Sequence, residues 1–194
     1  MEQNIKQRIT DTAYELFQEQ GYDNTSVKNI CEACGISKPT FYYYLKSKEE
    51  LLSCFFNQLT DELATHMMDM VVAENYWEQI WAGFKTLMIR SKGFGQDLYA
   101  QLFISNLKEN KGTFDVNESL MHTMVILVER AQKSGQIRNQ TPAEDLYRDS
   151  IYLNIGYGVR WCIEKGSFDL LSEFRAALEN MYDIAPEFRD GRSK

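Results

Sequence analysis

The residues with the most chemical character lie between Thr25 and Glu50, in the stretch TSVKNICEACGISKPTFYYYLKSKEE. Its middle piece, Lys38 to Leu45, reads as a short helix. At 100° per residue, Phe41, Tyr44 and Leu45 share one side, and Lys38, Pro39, Tyr42 and Tyr43 share the other. Phe41 and Leu45 can anchor the inner side, which leaves two tyrosines and a lysine in water. Large aromatics displayed beside a cation mark a contact surface rather than a core. The expectation is that this surface enters a DNA major groove, as the second helix of a helix-turn-helix does.

A second constellation is Cys31-x-x-Cys34, whose spacing suits redox chemistry or a metal. No second Cys or His pair accompanies it, and His66 and His122 stand far apart with no ligand spacing. Cys31 and Cys34 also continue the stripe Val27, Ile30, Cys31, Cys34 at i, i+3, i+4, i+7, where a thiol acts as a small hydrophobe. Core packing is the expected role, with no metal site. A Gly-rich phosphate loop, a nucleophile elbow and a metal cluster are all missing from the sequence, so no catalytic residue, no cofactor and no enzyme activity is expected.

The elements that must position the Lys38 face can be read outward from it. Ile9, Thr12, Ala13, Leu16 and Phe17 lie on one face of a first helix, which Gly21 stops. Thr25 or Ser26 can cap the second helix, Gly35 supplies the turn and Ser37 can cap the third. Pro39 falls in that helix's first turn, where its missing N–H costs nothing. Ser47-Lys48-Glu49-Glu50 opens a fourth helix with a capping box. Lys48 there sits at the positive end of a helix dipole, which disfavours it by roughly 0.3–1 kcal/mol. A phosphate would reverse that sign; a solvated lysine would tolerate it.

Composition bounds the rest. The 194 residues are 44% hydrophobic and 13% aromatic, a globular balance with ample length for a core. The net charge of −7 runs against a polyanion partner until it is mapped. Between Thr25 and Lys48, four lysines (Lys28, Lys38, Lys46, Lys48) face Glu32 alone. A positive patch on an acidic body can bind phosphates. No apolar run approaches the roughly 20 residues of a membrane span. The N-terminus lacks a basic start and an apolar signal core, so a cytoplasmic protein with no membrane partner is expected.

Residues 5–55 resemble the N-terminal domain of the TetR family of bacterial transcriptional regulators. The resemblance is carried by A-x-x-L-F-x-x-x-G-Y from Ala13 to Tyr22, by T-S-V-x-x-I from Thr25 to Ile30, and by GISKPTFYYYLKSKEELL from Gly35 to Leu52. It implies that Thr25, Tyr42 and Lys48 hold phosphates, and that Lys28, Lys38, Pro39, Thr40 and Tyr43 face base edges or adjoining backbone. The chemistry agrees in kind. Lysine can donate to guanine, Pro and Thr offer carbon to a thymine methyl, and tyrosine hydroxyls reach phosphate oxygens. Lys28 and Tyr43 can equally be merely solvated.

Beyond Leu51 only the helical layout remains legible. The fourth helix is expected to reach about Val72, and Asn75 to cap a fifth ending near Ser91. Further helices are expected over 96–110, from an Asp115–Glu118 cap to about Ser134, from a Thr141 cap to about Lys165, and from Asp169 onward. The fold class is therefore all-α. A three-helix DNA-binding domain over 1–47 precedes a six-helix domain over 48–194 for effector binding and dimerisation.

The last helix carries Leu170, Leu171, Phe174, Ala177, Leu178 and Met181 in one stripe. The helix before it is apolar on two faces, Leu153, Tyr157 and Trp161 against Ile151, Ile155 and Cys162, and must be covered twice. Gly156 and Gly158 in its interior each cost roughly 1 kcal/mol, which close helix approach would justify. In the family the corresponding helices form a four-helix homodimer interface. The resemblance also implies a pocket for a small, largely apolar effector, for which Trp81, Phe84, Met88, Tyr99, Phe103, Met121, Met124, Tyr152 and Trp161 are the candidate lining; ordinary core is the other reading of each. The function expected is a homodimeric repressor on an inverted-repeat operator, released by that ligand. A helical enzyme or carrier with a vestigial helix-turn-helix, and a regulator answering to a protein or to nothing, are the alternatives. A steep salt dependence of DNA affinity separates the first.

Overall fold

A computed structural model describes residues 2–66, 75–115 and 117–191. Among these residues the regular structure is helical: α1 (Glu2–Gln20), α2 (Val27–Cys34), α3 (Lys38–Tyr44), α4 (Lys48–His66), α5 (Tyr76–Gly93), α6 (Gly95–Lys108), α7 (Glu118–Lys133), α8 (Ala143–Ile163) and α9 (Leu170–Met181), then a 3-10 turn at Pro186–Gly191. One isolated bridge joins Ile137 to Ile184. The expected end of the fourth helix near Val72 lies outside the described residues. No described helix is long and apolar enough to cross a membrane.

Local chemistry explains most of the boundaries. Ser26 caps α2, exchanging bonds with Asn29, and Gly35 ends it at φ 64°, a left-handed turn that side chains resist. Ser37 caps α3 by accepting the Thr40 amide N–H. Two expected caps are displaced. Asn117 rather than Asp115 caps α7, accepting from the Leu120 amide. Pro142 rather than Thr141 takes the N-cap position of α8, without a side-chain bond.

The chain forms two compact units. The first holds residues up to Leu59 together with Ser91–Asp115; the second holds Thr60–Arg90 and residues from 116 onward. The first therefore takes in more than the expected 1–47 domain, because α6 and its flanking turns pack with it. Ile9, Ala13 and Phe17 of α1, Ile30 and Cys31 of α2, Phe41 and Leu45, and Leu51, Leu52, Phe55 and Phe56 of α4 are buried. The Tyr14 hydroxyl and the Gln18 amide donate to the Gly93 and Phe94 carbonyls, and Tyr14, Phe55 and Phe94 form one ring cluster. Buried Ser53 of α4 meets Thr113 hydroxyl to hydroxyl at 2.9 Å.

In the second unit α7 packs on α8 and α8 on α9. Its core includes Trp77, Ile80, Phe84, Met124, Val128, Leu146, Tyr147, Phe174, Leu178 and Tyr182. Arg175 of α9 bridges Glu78 of α5 (2.6 Å) and Glu179 (2.8 Å) and lies over the Trp81 ring at 5.3 Å. The Trp77 and Trp81 rings and two carboxylates thus satisfy one cation that would be costly to bury alone.

Candidate nucleic-acid interface

Phe41 and Leu45 are 0% and 1% exposed, so α3 is pinned by the side expected to be its inner one. Its other side stands out. Tyr42 is 53% and Tyr43 73% exposed, and Lys38 and Pro39 are exposed with them. Both rings are braced: Tyr42 meets Phe41 edge-on at 5.4 Å, and Tyr43 meets Tyr44 edge-on at 4.9 Å. Bracing lowers the ordering cost that a flexible side chain would incur on binding. Thr40 is half-buried in the first turn. Lys28 of α2 is exposed and 3.5 Å from Glu32, an ion pair mostly in water and correspondingly weak.

Two expected phosphate contacts are placed otherwise. Thr25 is fully buried; its hydroxyl donates to the Gly21 carbonyl at 2.8 Å and receives the Gln20 amide at 3.1 Å. That side chain closes the α1–α2 turn, its hydroxyl engaged within the chain. The Lys48 ammonium donates to the Tyr22 and Thr25 carbonyls at 2.8 and 3.0 Å and lies 3.8 Å from the centre of the Tyr22 ring. Two of its three donors are committed, which leaves one for a phosphate. Burial lowers its pKa, against the pull of Asp23 and Glu49. These partners lie 23 and 26 residues away, so the only sequence signal was a cation placed against the α4 dipole.

A groove of about 860 Å³ also belongs to this unit, lined by Lys46, Lys48, Lys108 and Lys111 against Asp23, Glu49, Glu50 and Glu109. Its charges balance, so it does not compete with the α3 face for a polyanion. Burial pushes the Cys31 thiol pKa up, and all four cysteines are free, so Cys31 packs rather than reacts. Among the described residues no group of three metal-ligating side chains forms.

The residues expected around an effector are distributed unevenly. Trp81, Phe84, Met88, Met124 and Trp161 are buried in the second unit, and Tyr99 and Phe103 are buried in the first. Met121 is half-buried. Tyr152 is 61% exposed on α8.

Residues 9–53 match the family model of the bacterial regulatory proteins of the tetR family. The fatty acid metabolism regulator protein of Bacillus subtilis is 24% identical over 182 residues, covering 89% of this chain and 91% of that protein. The HTH-type transcriptional regulator YuxN of the same organism is 42% identical over 62 residues, 32% of this chain but only 21% of that longer protein. Among solved structures, the Thermus thermophilus FadR repressor in complex with lauroyl-CoA has a TM-score of 0.72 at 22% identity, covering 91% of this chain and 92% of that one. A TetR-family regulator from Pectobacterium atrosepticum has a TM-score of 0.71 at 17% identity, covering 92% of each chain. These likenesses carry the fold, and the N-terminal match carries the chemistry of the α3 face. Residues 9–53 thus carry the sequence pattern of the tetR family of bacterial regulatory proteins, and the chain as a whole shares the fold of TetR-family regulators.

Proposed function

We propose that the chain is a homodimeric repressor that lays α3 of each subunit in the major groove of an inverted-repeat operator and leaves it when a small, largely apolar ligand binds. The observation that carries this is the split of α3, with Phe41 and Leu45 buried while Lys38, Tyr42 and Tyr43 stand in water. Lys38, Pro39, Thr40 and Tyr43 face base edges, and Tyr42, with the third donor of Lys48, holds phosphates. Residues 1–47 act as the DNA-binding domain, and 48–194 supply effector binding and dimerisation. The partner subunit covers α8 and α9, where Tyr152, Gly156 and Ile163 are exposed and Leu171, Ala177 and Met181 half-covered.

A fatty acyl thioester is the ligand class we favour, the acyl chain being its apolar part and the coenzyme A that carries it a large anion. A fatty acid metabolism regulator aligns along nearly the whole chain, and the FadR fold-neighbour holds lauroyl-CoA. Such a ligand acts only by its difference in affinity between the DNA-competent arrangement and another; tight binding without that difference would do nothing. The test has two arms. Duplexes selected from a random pool by the full chain are titrated at several salt concentrations, where log affinity should fall steeply and linearly with log salt. Acyl-CoAs of graded length are then added, and release of the duplex by one length range is expected. A flat salt response overturns the DNA reading. Release by no acyl-CoA, with binding intact, overturns the ligand class alone.

A further inference from the structure

The groove beside the first turn of α4 contains a buried donor that the chain leaves unmatched. Tyr22 lines that groove and is 7% exposed, and its hydroxyl has no hydrogen-bond partner among the described residues. A phenol buried in that way is a cost to the fold unless something from outside meets it. Burial, with Glu49 and Asp23 acting in the same sense, holds its pKa well above the ordinary value, so the group stays an O–H donor. Both carboxylates line the same groove, which puts the hydroxyl on the groove side of the ring. Lys48 occupies the face of that ring and leaves its hydroxyl edge untouched.

The charges of the walls are only partly spent. Lys48 is held by two carbonyls, Lys111 is paired with Glu109, and Glu50 accepts the Lys46 amide N–H. The Lys46 and Lys108 ammonium groups make no hydrogen bond or ion pair among the described residues, and neither does the Asp23 carboxylate; all three side chains are exposed. Two cations, one carboxylate and one buried phenol are thus open to a visitor. All of them belong to the first unit.

We propose that this groove binds a small zwitterion, an amino acid or a short peptide, whose carboxylate is taken by the free lysines and the Tyr22 hydroxyl and whose ammonium is taken by Asp23. A simple anion would meet four carboxylates as well as four lysines, and an apolar molecule would strip water from both. A molecule that carries both signs pairs with each and gives the phenol a charged acceptor. About 860 Å³ is ample for one or two residues. The site is separate from the α3 face and from the apolar effector, so its failure leaves the reading above untouched.

Isothermal titration calorimetry of the full chain at fixed ionic strength is the test, with the common amino acids singly and with unblocked dipeptides. Binding by amino acids places one residue in the groove; binding by dipeptides alone places two. For a probe that binds, the N-acetyl form and the C-terminal amide form each lack one charge and should bind roughly tenfold or more weakly. Tyr22→Phe removes only an unpartnered hydroxyl, so the free chain should unfold in urea no earlier than the parent, while affinity for the probe falls roughly tenfold. Lys46→Ala combined with Lys108→Ala changes exposed side chains and should weaken the probe at least as much. A merely structural role for Tyr22 would do the reverse, lowering stability and leaving affinity alone. The inference fails if no probe binds, if either blocked form binds as tightly as the unblocked one, or if Tyr22→Phe keeps full affinity.

Discussion

The outer side of α3 and the uncovered side of α8 both hold large carbon surfaces in water, and they differ in what surrounds the carbon. On α3 the exposed rings of Tyr42 and Tyr43 sit beside Lys38, in a stretch of four lysines against one glutamate. On α8, Tyr152, Gly156, Val159 and Ile163 fall within about 60° of one another, with Ile163 74% exposed. The arginines that flank this stripe are consumed locally: Arg148 pairs with Glu144 and Asp145, and Arg160 with Glu164 and Glu173. A cation with phenols suits an anion, whereas neutralised charge around aliphatic carbon suits another surface of the same kind. Exposure alone would have equated the two; the neighbouring charges separate them.

The largest effect should come from placing charge on the α8 stripe. Tyr152→Glu combined with Ile163→Glu puts four carboxylates into a two-fold interface, and dimer dissociation should rise on the order of 10,000-fold. Sedimentation equilibrium measures it. Both residues are exposed within the chain, so the monomer should melt where the parent does. Affinity for an inverted repeat should fall in parallel, since one subunit holds one half-site. A variant that stays dimeric would assign the stripe to a different partner.

The α3 face divides more finely. Phe41→Ala removes a fully buried ring and should cost about 3–5 kcal/mol in urea unfolding. Tyr43→Ala, two positions on, should change stability by no more than about 0.5 kcal/mol, while weakening DNA binding by several-fold. If both substitutions unfold the domain, the outer side of α3 is core and the comparison with α8 collapses.

Next in size is the brace at the start of α4. Lys48→Met keeps much of the side chain's bulk but leaves the Tyr22 and Thr25 carbonyls without their charged donor, at a cost of about 2 kcal/mol. Thermal or urea unfolding without DNA is the measurement. Stability within about 0.5 kcal/mol of the parent would return Lys48 to the phosphate role alone.

This brace also marks where the sequence stops being legible. Ser26, Gly35, Ser37, Phe41 and Leu45 took their expected places because a cap, a turn or an amphipathic period is set by residues three or four apart. Lys48 is braced by carbonyls 23 and 26 residues away, which no local pattern shows, and Thr25 turns its hydroxyl back to the Gly21 carbonyl and the Gln20 amide. A hydroxyl beside a helix end reads the same whether it faces a duplex or a carbonyl. The grouping of α6 with the DNA-binding unit was equally invisible, since it depends on Tyr14, Gln18 and Ser53 finding partners 60 to 79 residues away. Among the effector candidates, which rested on the resemblance rather than on a local pattern, Phe84 and Met124 are buried and Tyr152 is exposed.

Gly156 gives the smallest effect and the one that most sharpens the comparison. A Cβ built on it meets nothing within 4 Å in its own chain, so packing within the subunit does not explain a glycine in the middle of α8. Gly156→Ala should therefore stabilise the isolated subunit by about 0.5–1 kcal/mol, the ordinary helix-interior difference. If the partner's helix approaches closely there, the same methyl must cost association, and the dimer should weaken even as the subunit gains. Opposite signs in urea unfolding of a charge-split monomer and in sedimentation of the dimer would place backbone against backbone at Gly156. A gain in both would mean that α8 meets its partner through Tyr152 and Ile163, with space left between the helices.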